Sequence, residues 1–425
     1  MNVTLSATLA ANEEISRRRE AGERVLNLAF GEAGLPVHPV LRERLDEASA
    51  RNGYGPVAGD AVLRTATAGY WERRGLPTDP DLVVCGPGSK PLLYALLLAI
   101  GGDIVLTMPS WVSYAAQAEL IGVRPLLVQA LHGEGGVPNP EQMISVVQSA
   151  RAQGRTVRSV LVTLPDNPTG TLARPETIRR LAVVARDLDL VIISDEIYRD
   201  LVHDPYAQVL SPAQIAPERT VITSGLSKSL AIGGWRIGVA RLPENGYDLR
   251  TRLLAIASEI WSSPVAPVQR AAAYAFTEPA ELVTRIARSR RLHGIVARAV
   301  AERFTAAGAT VATPQGGFYV YPDLGHLRGF GTSADLAAAL LDRHGIGVLP
   351  GSAFGDVPWA LRLRVATSLL YGDTSEQRIT ALQTADPLTL PWIAEPLDHL
   401  SRALADLTSP HAPGRPPRDF LPAAS

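Results

Sequence analysis

Amine chemistry in this chain has two candidates. Of 41 basic residues only Lys90 and Lys228 are lysines, and the rest are arginines. Lys228 stands in Thr223-Ser-Gly-Leu-Ser227-Lys228-Ser, just after a predicted strand and ahead of Gly233-Gly-Trp-Arg236-Ile-Gly238. A lysine at a buried strand end is costly when charged, so desolvation draws its pKa toward the neutral nucleophile that Schiff-base chemistry needs. A surface lysine is the bland alternative. Ser227 and Arg236 can both reach a phosphate, the arginine through its paired donors.

Three more segments carry chemical residue types just after predicted strands. Gly86-Pro-Gly88-Ser89-Lys90 opens an apolar helix, whose first turn offers free N–H groups and a positive dipole end to a phosphate. A tight turn before a core helix would read the same way, and a dinucleotide fingerprint fails because Pro91 stands where its third glycine belongs. Leu164-Pro-Asp166-Asn167-Pro168-Thr169-Gly170 taken alone is a turn. In Ile193-Ser-Asp195-Glu196-Ile-Tyr198 a carboxylate leaves an apolar strand; it needs a cationic or proton-bearing partner, unless it merely caps a helix. No Gly-x-Ser-x-Gly elbow, Ser-x-x-Lys pair or His-Glu-x-x-His string occurs, so hydrolase and zinc readings lose support. The single cysteine, Cys85, excludes an intrachain disulfide and a multi-cysteine cluster, and no metal is expected. Arg17-Arg18-Arg19 reads as a solvated helix face.

Positioning these segments requires an α/β framework. Strands are predicted at Leu82–Cys85, Asp103–Thr107, Arg124–Val128, Ser159–Thr163, Leu190–Ser194 and Thr220–Thr223, alternating with helical patterns such as Pro175–Asp187. That alternation implies a large domain with a mostly parallel, mixed sheet flanked by helices. A long helix over Pro279–Ala307 follows, then strands at Thr310–Ala312, Phe318–Tyr321 and Leu361–Ala366 with a helix at Ser333–His344, which reads as a smaller α+β unit. The expected division is 1–50 with that small unit, 51–285 the large domain, 286–408 the small domain and 409–425 a loose, proline-rich tail.

The 425 residues, 46% apolar and 20% charged, suit a folded protein of two or three cores. A net charge of −1 supplies no field for nucleic acid or a membrane surface, so small molecules are the expected partners. The apolar run Leu92–Ile100 is about half of the ~18–20 residues a membrane span needs. The opening residues lack a basic segment ahead of a sustained apolar one, and with the lone cysteine they point to a cytoplasmic chain.

From about Asn27 to Thr367 the order and spacing of these motifs resemble the fold-type I pyridoxal phosphate enzymes, specifically the class I/II aminotransferase family. The resemblance implies a seven-stranded-type sheet and pyridoxal 5'-phosphate as cofactor, with Lys228 forming the internal aldimine. It makes Arg236 the phosphate clamp, with Ser227, Gly88, Ser89 and Lys90 beside it. Asp195 is similar to the aspartate that keeps the pyridine nitrogen protonated, so that the ring accepts the electrons left on Cα. Asn167 and Tyr198 resemble the groups that hydrogen-bond the cofactor's phenolic oxygen, and Trp111 the aromatic stacked on its ring. Tyr54, with Gly59 and Leu63-Arg64, resembles the motif that reaches the neighbouring subunit's phosphate, which implies a homodimer with shared active sites.

Leu361-Arg362-Leu-Arg364-Val-Ala-Thr-Ser matches the strand whose first arginine binds the substrate carboxylate, so that role falls to Arg362, with Gly31 and Asn167 lining the same pocket. The chain departs from the family at two points. Gly225 stands where many members have a phosphate-binding serine, leaving Ser224 or water to substitute. Arg364 replaces a small polar residue, and alternate residues on a strand share a face, so it enters the substrate pocket or pairs with an acid.

The reaction implied is amino-group transfer from an amino acid to a 2-oxo acid, with Lys228 as leaving group, base and acid in turn. The same scaffold hosts elimination or replacement, cyclisation and oxidation of amino acids. A non-catalytic cofactor-binding regulator is the distant alternative, since this N-terminus has neither the length nor the basic face of a DNA-binding domain.

Overall fold

Apolar runs with no polar alternation form strands whose two faces are both covered, and five of the six predicted runs behave that way in the computed structural model, which describes residues 5–408. The main sheet contains β1 (Val83–Gly86), β2 (Asp103–Met108), β3 (Leu126–Gln129), β4 (Val157–Thr163), β5 (Val191–Asp195), β6 (Thr220–Gly225) and β7 (Gly238–Arg241), in the order β1-β7-β6-β5-β4-β2-β3. Only β3, at the sheet edge, has mixed burial. β7 pairs antiparallel with both β1 and β6, and every other pairing is parallel. Val105, Val160 and Ile192 face one helical layer, while Leu106, Leu161 and Ile193 face the other. α1 (Ser89–Ile100) buries Leu92, Leu93, Leu96 and Leu97, and α2 (Pro175–Asp187) buries Ile178, Leu181, Ala182 and Ala185 at helical spacing.

A second core is assembled from both ends of the chain. The 27-residue α3 (Ala280–Ala306) packs Leu292, Val296, Val300 and Phe304 against α4 (Ser333–His344) and α5 (Pro391–Thr408), the last through Ile393, Leu397, Leu400 and Leu404. Between them β8 (Tyr319–Val320), β9 (Leu349–Pro350) and β10 (Leu363–Ala366) form an antiparallel sheet in the order β9-β10-β8. Leu26–Asn27 pairs with Ile346–Gly347, tying the N-terminal segment to this core, whereas helix Pro39–Glu47 sets Leu41 into the core beside the large sheet. The stretch predicted as a strand at Thr310–Ala312 makes a single bridge, Thr310 to Asp323, and Pro314, which has no N–H, follows it closely. The proline-rich tail at 409–425 lies outside the described residues.

Candidate active site

Parallel strands end together, and the loops leaving that edge open a crevice. β1 delivers Ser89 and Lys90 to it, β2 Trp111, β4 Asn167, β5 Asp195 and β6 Lys228. β7 runs the other way, so its beginning reaches the same edge and brings Arg236 with it. The result is a cavity of about 530 Å³, within the range of small-molecule and cofactor sites.

One end of the cavity is built for an anion. Gly88, at φ +98°, turns the chain into α1 and leaves that helix's first N–H groups facing the cavity. Arg236 adopts a left-handed backbone (φ 55°, ψ 59°), which costs about 1–2 kcal/mol for a residue with a Cβ. Its Nη1 donates to Gly233 O (2.9 Å) and its Nη2 to Pro87 O (3.1 Å), fixing the guanidinium beside Gly88. A Cβ on Gly88 would collide with that guanidinium, and one on Gly238 would overlap the Gly88–Ser89 backbone. Ser227 lines the same end. Ser224 does not: it is buried at the cavity's back, its hydroxyl directed to Glu196 O at 3.5 Å. Gly225 is set by packing, because a Cβ there would lie 2.9 Å from Ile237 O on the neighbouring chain segment.

At the centre, Lys228 donates from Nζ to Gly31 O at 2.6 Å and opens onto the cavity. Burial, helped by the Arg364 guanidinium, brings its pKa down to about 8. Asp195 forms the floor, accepting hydrogen bonds from Tyr114 Oη (2.8 Å) and Thr223 Oγ1 (3.2 Å), yet burial still pushes its pKa up to about 6. A carboxylate so placed favours a cation above it. Asn167 is buried with its Oδ1 unpartnered, and Trp111 stands on the wall with the Lys90 ammonium 4.9 Å from its ring. Tyr198 Oη shares a 2.7 Å hydrogen bond with Tyr319 Oη. Among the described residues no cluster of His, Cys, Asp and Glu could hold a metal ion.

Three predicted site residues do not line this cavity: Gly88, which stands behind its anion end against Arg236, and Tyr54 and Arg362. Tyr54 is 95% exposed and lines nothing in its own chain. Arg362 is a correction: it sits outside the cavity, its Nε 2.9 Å from Asp323 and its Nη1 3.1 Å from Asp356, which also accepts from Tyr321 Oη at 2.8 Å. Two acids hold it before β10 begins, and one of them, Asp323, faces it across a bridge. Arg364, two residues on, lines the cavity instead. Its Nη2 donates to Ala29 O, its Nη1 would be 3.2 Å from a Cβ on Gly31, and its Nε is buried without a partner. Of the two places the sequence allowed for Arg364, the pocket is the one it takes, whereas Tyr319, Tyr114 and the N-terminal residues Ser6, Thr8 and Leu9, which also line the cavity, were missed. A signal existed for Arg364, a cation inside an otherwise apolar strand.

The family model for class I and II aminotransferases matches residues 23–369. Aspartate aminotransferase from Geobacillus stearothermophilus is 32% identical over 392 residues, covering 89% of this chain and 96% of that enzyme. Aspartate/prephenate aminotransferase from Thermus thermophilus is 31% identical over 372 residues, covering 85% and 92%. The crystal structure of Thermus thermophilus aspartate aminotransferase with maleate superposes with a TM-score of 0.81 at 27% identity, covering 94% of this chain and 97% of that one. The mixed seven-stranded sheet, the cavity at its carboxyl edge and these likenesses agree: the chain belongs to the class I and II aminotransferase family and is an amino-group-transferring enzyme.

Proposed function

We propose that the enzyme transfers an amino group from an amino acid to a 2-oxo acid, using pyridoxal 5'-phosphate bound through Lys228, and that it does so as a cytoplasmic homodimer. The observation that carries this reading is Lys228, an amine with a pKa near neutrality, in hydrogen-bond contact only with a carbonyl and open to the cavity. The surrounding residues fit the cofactor. The anion end suits its phosphate, Asp195 suits a protonated ring nitrogen, the free Oδ1 marks Asn167 as a side chain awaiting a partner, and Trp111 offers a ring face. When bound, the cofactor supplies an aldehyde for the donor's amine and a ring that stores the electrons left on Cα.

The rest is done by side chains. Asp195 stays ionised against the ring nitrogen, with Tyr114 and Thr223 fixing its two oxygens. Arg236 and the first N–H groups of α1 would hold the phosphate. Lys228 Nζ would hold the cofactor and would serve as the base that takes the proton from the donor's Cα and as the acid that gives it back, and its depressed pKa suits both roles. Tyr54, exposed on its own chain, is free to complete the anion end in a second copy.

The test is to mix holoenzyme with a panel of amino acids and no acceptor. One equivalent of 2-oxo acid per site, with the amino group retained until a 2-oxo acid is added, is the expected result. Free ammonia or a lost side-chain fragment would contradict it.

A further inference from the structure

We propose that Tyr319 is a positioning residue: its hydroxyl donates to Tyr198 Oη and so turns Tyr198's own hydrogen toward the cofactor's phenolic oxygen. The inference rests on the cofactor of the proposed function, with Tyr198 at that oxygen, and goes beyond it by naming the residue that orients Tyr198. Tyr319 belongs to β8 of the small sheet, where it pairs with Ala366, and Tyr198 to the segment that follows β5 of the large one. Their hydroxyls meet at 2.7 Å, and the rings pack edge to face with centroids 5.5 Å apart. Phe318 packs on Tyr198 in the same edge-to-face manner at 5.8 Å. The Tyr198 ring is thus clamped, and only its hydroxyl hydrogen is left to turn.

Two hydroxyls that share one hydrogen bond hold two hydrogens, one inside the bond and one outside it. Burial raises the pKa of both phenols, so both hydrogens are present at neutral pH. The neighbours decide which one lies outside. Arg364 stands over the Tyr319 ring, its Cζ 5.0 Å from the centroid, and faces the Tyr319 hydroxyl with a group that donates and cannot accept. Gly31 closes another side, where a Cβ would collide with Tyr319 Oη. With no acceptor on those sides, the Tyr319 hydrogen goes to Tyr198 Oη, its one hydrogen-bond partner among the described residues. Tyr198 then keeps its own hydrogen for the cavity that both residues line. The other charged groups facing Tyr198 are Asp195 and Lys228, whose Nζ is 6.0 Å from the ring centroid and already donates to Gly31 O. A hydroxyl that accepts one hydrogen bond donates the next more strongly, so the chain strengthens the hold of Tyr198 on a negative oxygen.

The experiment follows the visible absorbance of bound pyridoxal 5'-phosphate against pH, with no amino acid present. A donor at the phenolic oxygen favours the deprotonated form of the cofactor–lysine link, because the negative charge on that oxygen then has no neighbouring cation. Tyr319→Phe should therefore raise the midpoint by roughly 0.4–1 unit, the size of one neutral hydrogen bond. In a Tyr198→Phe background the same substitution should add less than about 0.3 unit, since the path is already cut. No shift, a downward shift or an equal shift in both backgrounds overturns the proposal, as does a lower melting temperature with an unmoved midpoint, the mark of a merely structural hydroxyl. Should Tyr319→Phe fail to fold, neutron diffraction from deuterated, cofactor-free enzyme decides: deuterium on Tyr319 Oη points to Tyr198, or the inference is wrong. That map also separates the two readings, since an enzyme that takes up no cofactor fails the proposed function while the order of the two hydroxyls is still read directly.

Discussion

Lys228 owes its reactivity to where β6 ends. Its amine stands three residues past the end of that strand, held by a carbonyl and not by an acid, and burial outweighs the pull of Glu32 and Asp195 on its charge. Burial holds the folded-state pKa at about 8, well under the ordinary lysine value. Only the neutral amine attacks an aldehyde, so the rate at which cofactor-free enzyme takes up pyridoxal phosphate should rise with pH and reach half its maximum near 8. Stopped-flow absorbance across pH 6–10 checks this. A rate still climbing steeply beyond pH 10 would mean the amine is an ordinary solvated lysine. The pairing of roles at Arg362 and Arg364 shows what residue types alone conceal. The two arginines are two positions apart, yet Arg362 precedes β10 and Arg364 lies within it, and the acids that neutralise the first, Asp323 and Asp356, come from segments that the folded chain brings alongside. By contrast Lys228, Asp195, Asn167 and Arg236 were legible because each follows or precedes its own strand directly, so a strand register fixes its position.

At the scale of elements, the five buried runs were readable because a strand covered on both faces is largely apolar. β7 was not. Gly238-Val-Ala-Arg241 has only two apolar residues, set between a glycine and an arginine, and it exists as a strand by pairing with both β1 and β6. Yet its reversed direction is what carries Arg236 to the correct edge of the sheet. α3 presents a different case, a polar residue inside a core. His293 on this helix is buried, with Nδ1 2.6 Å from Tyr371 Oη and Nε2 unpartnered, and Arg285 and His203 are its charged or titratable neighbours. Burial drives its pKa down to about 3, from 6.5. Between those values the unfolded chain carries the proton and the folded chain refuses it, so this residue's contribution to stability falls as pH drops from about 6.5 toward 3. His293→Gln should flatten the dependence of melting temperature on pH over pH 4–6.5, whatever its effect at pH 8. An unchanged slope would remove His293 from the acid response.

For the whole molecule, the second core explains why the chain runs beyond the strand bearing Arg364. α5 closes the outer side of α3 with a row of leucines, and the N-terminal segment threads back to set Gly31 beside Lys228. Tyr54, at 95% exposure, is the side chain the proposed homodimer would use at the neighbouring site. With shared sites, Tyr54→Ala and Lys228→Ala fail in different subunits' contributions. Refolding the two variants together should form mixed dimers with one intact site each, restoring about a quarter of the unmodified activity at random assortment. Activity no greater than that of Tyr54→Ala alone would mean that each site is complete within one subunit.

Because the chain has only two lysines, its central claim reduces to one observation. Holoenzyme is treated with borohydride to fix the covalent link, digested and mapped by mass spectrometry. The account predicts the cofactor-derived mass on the peptide carrying Lys228 and an unmodified Lys90. The mass on Lys90, or on neither lysine, would contradict it.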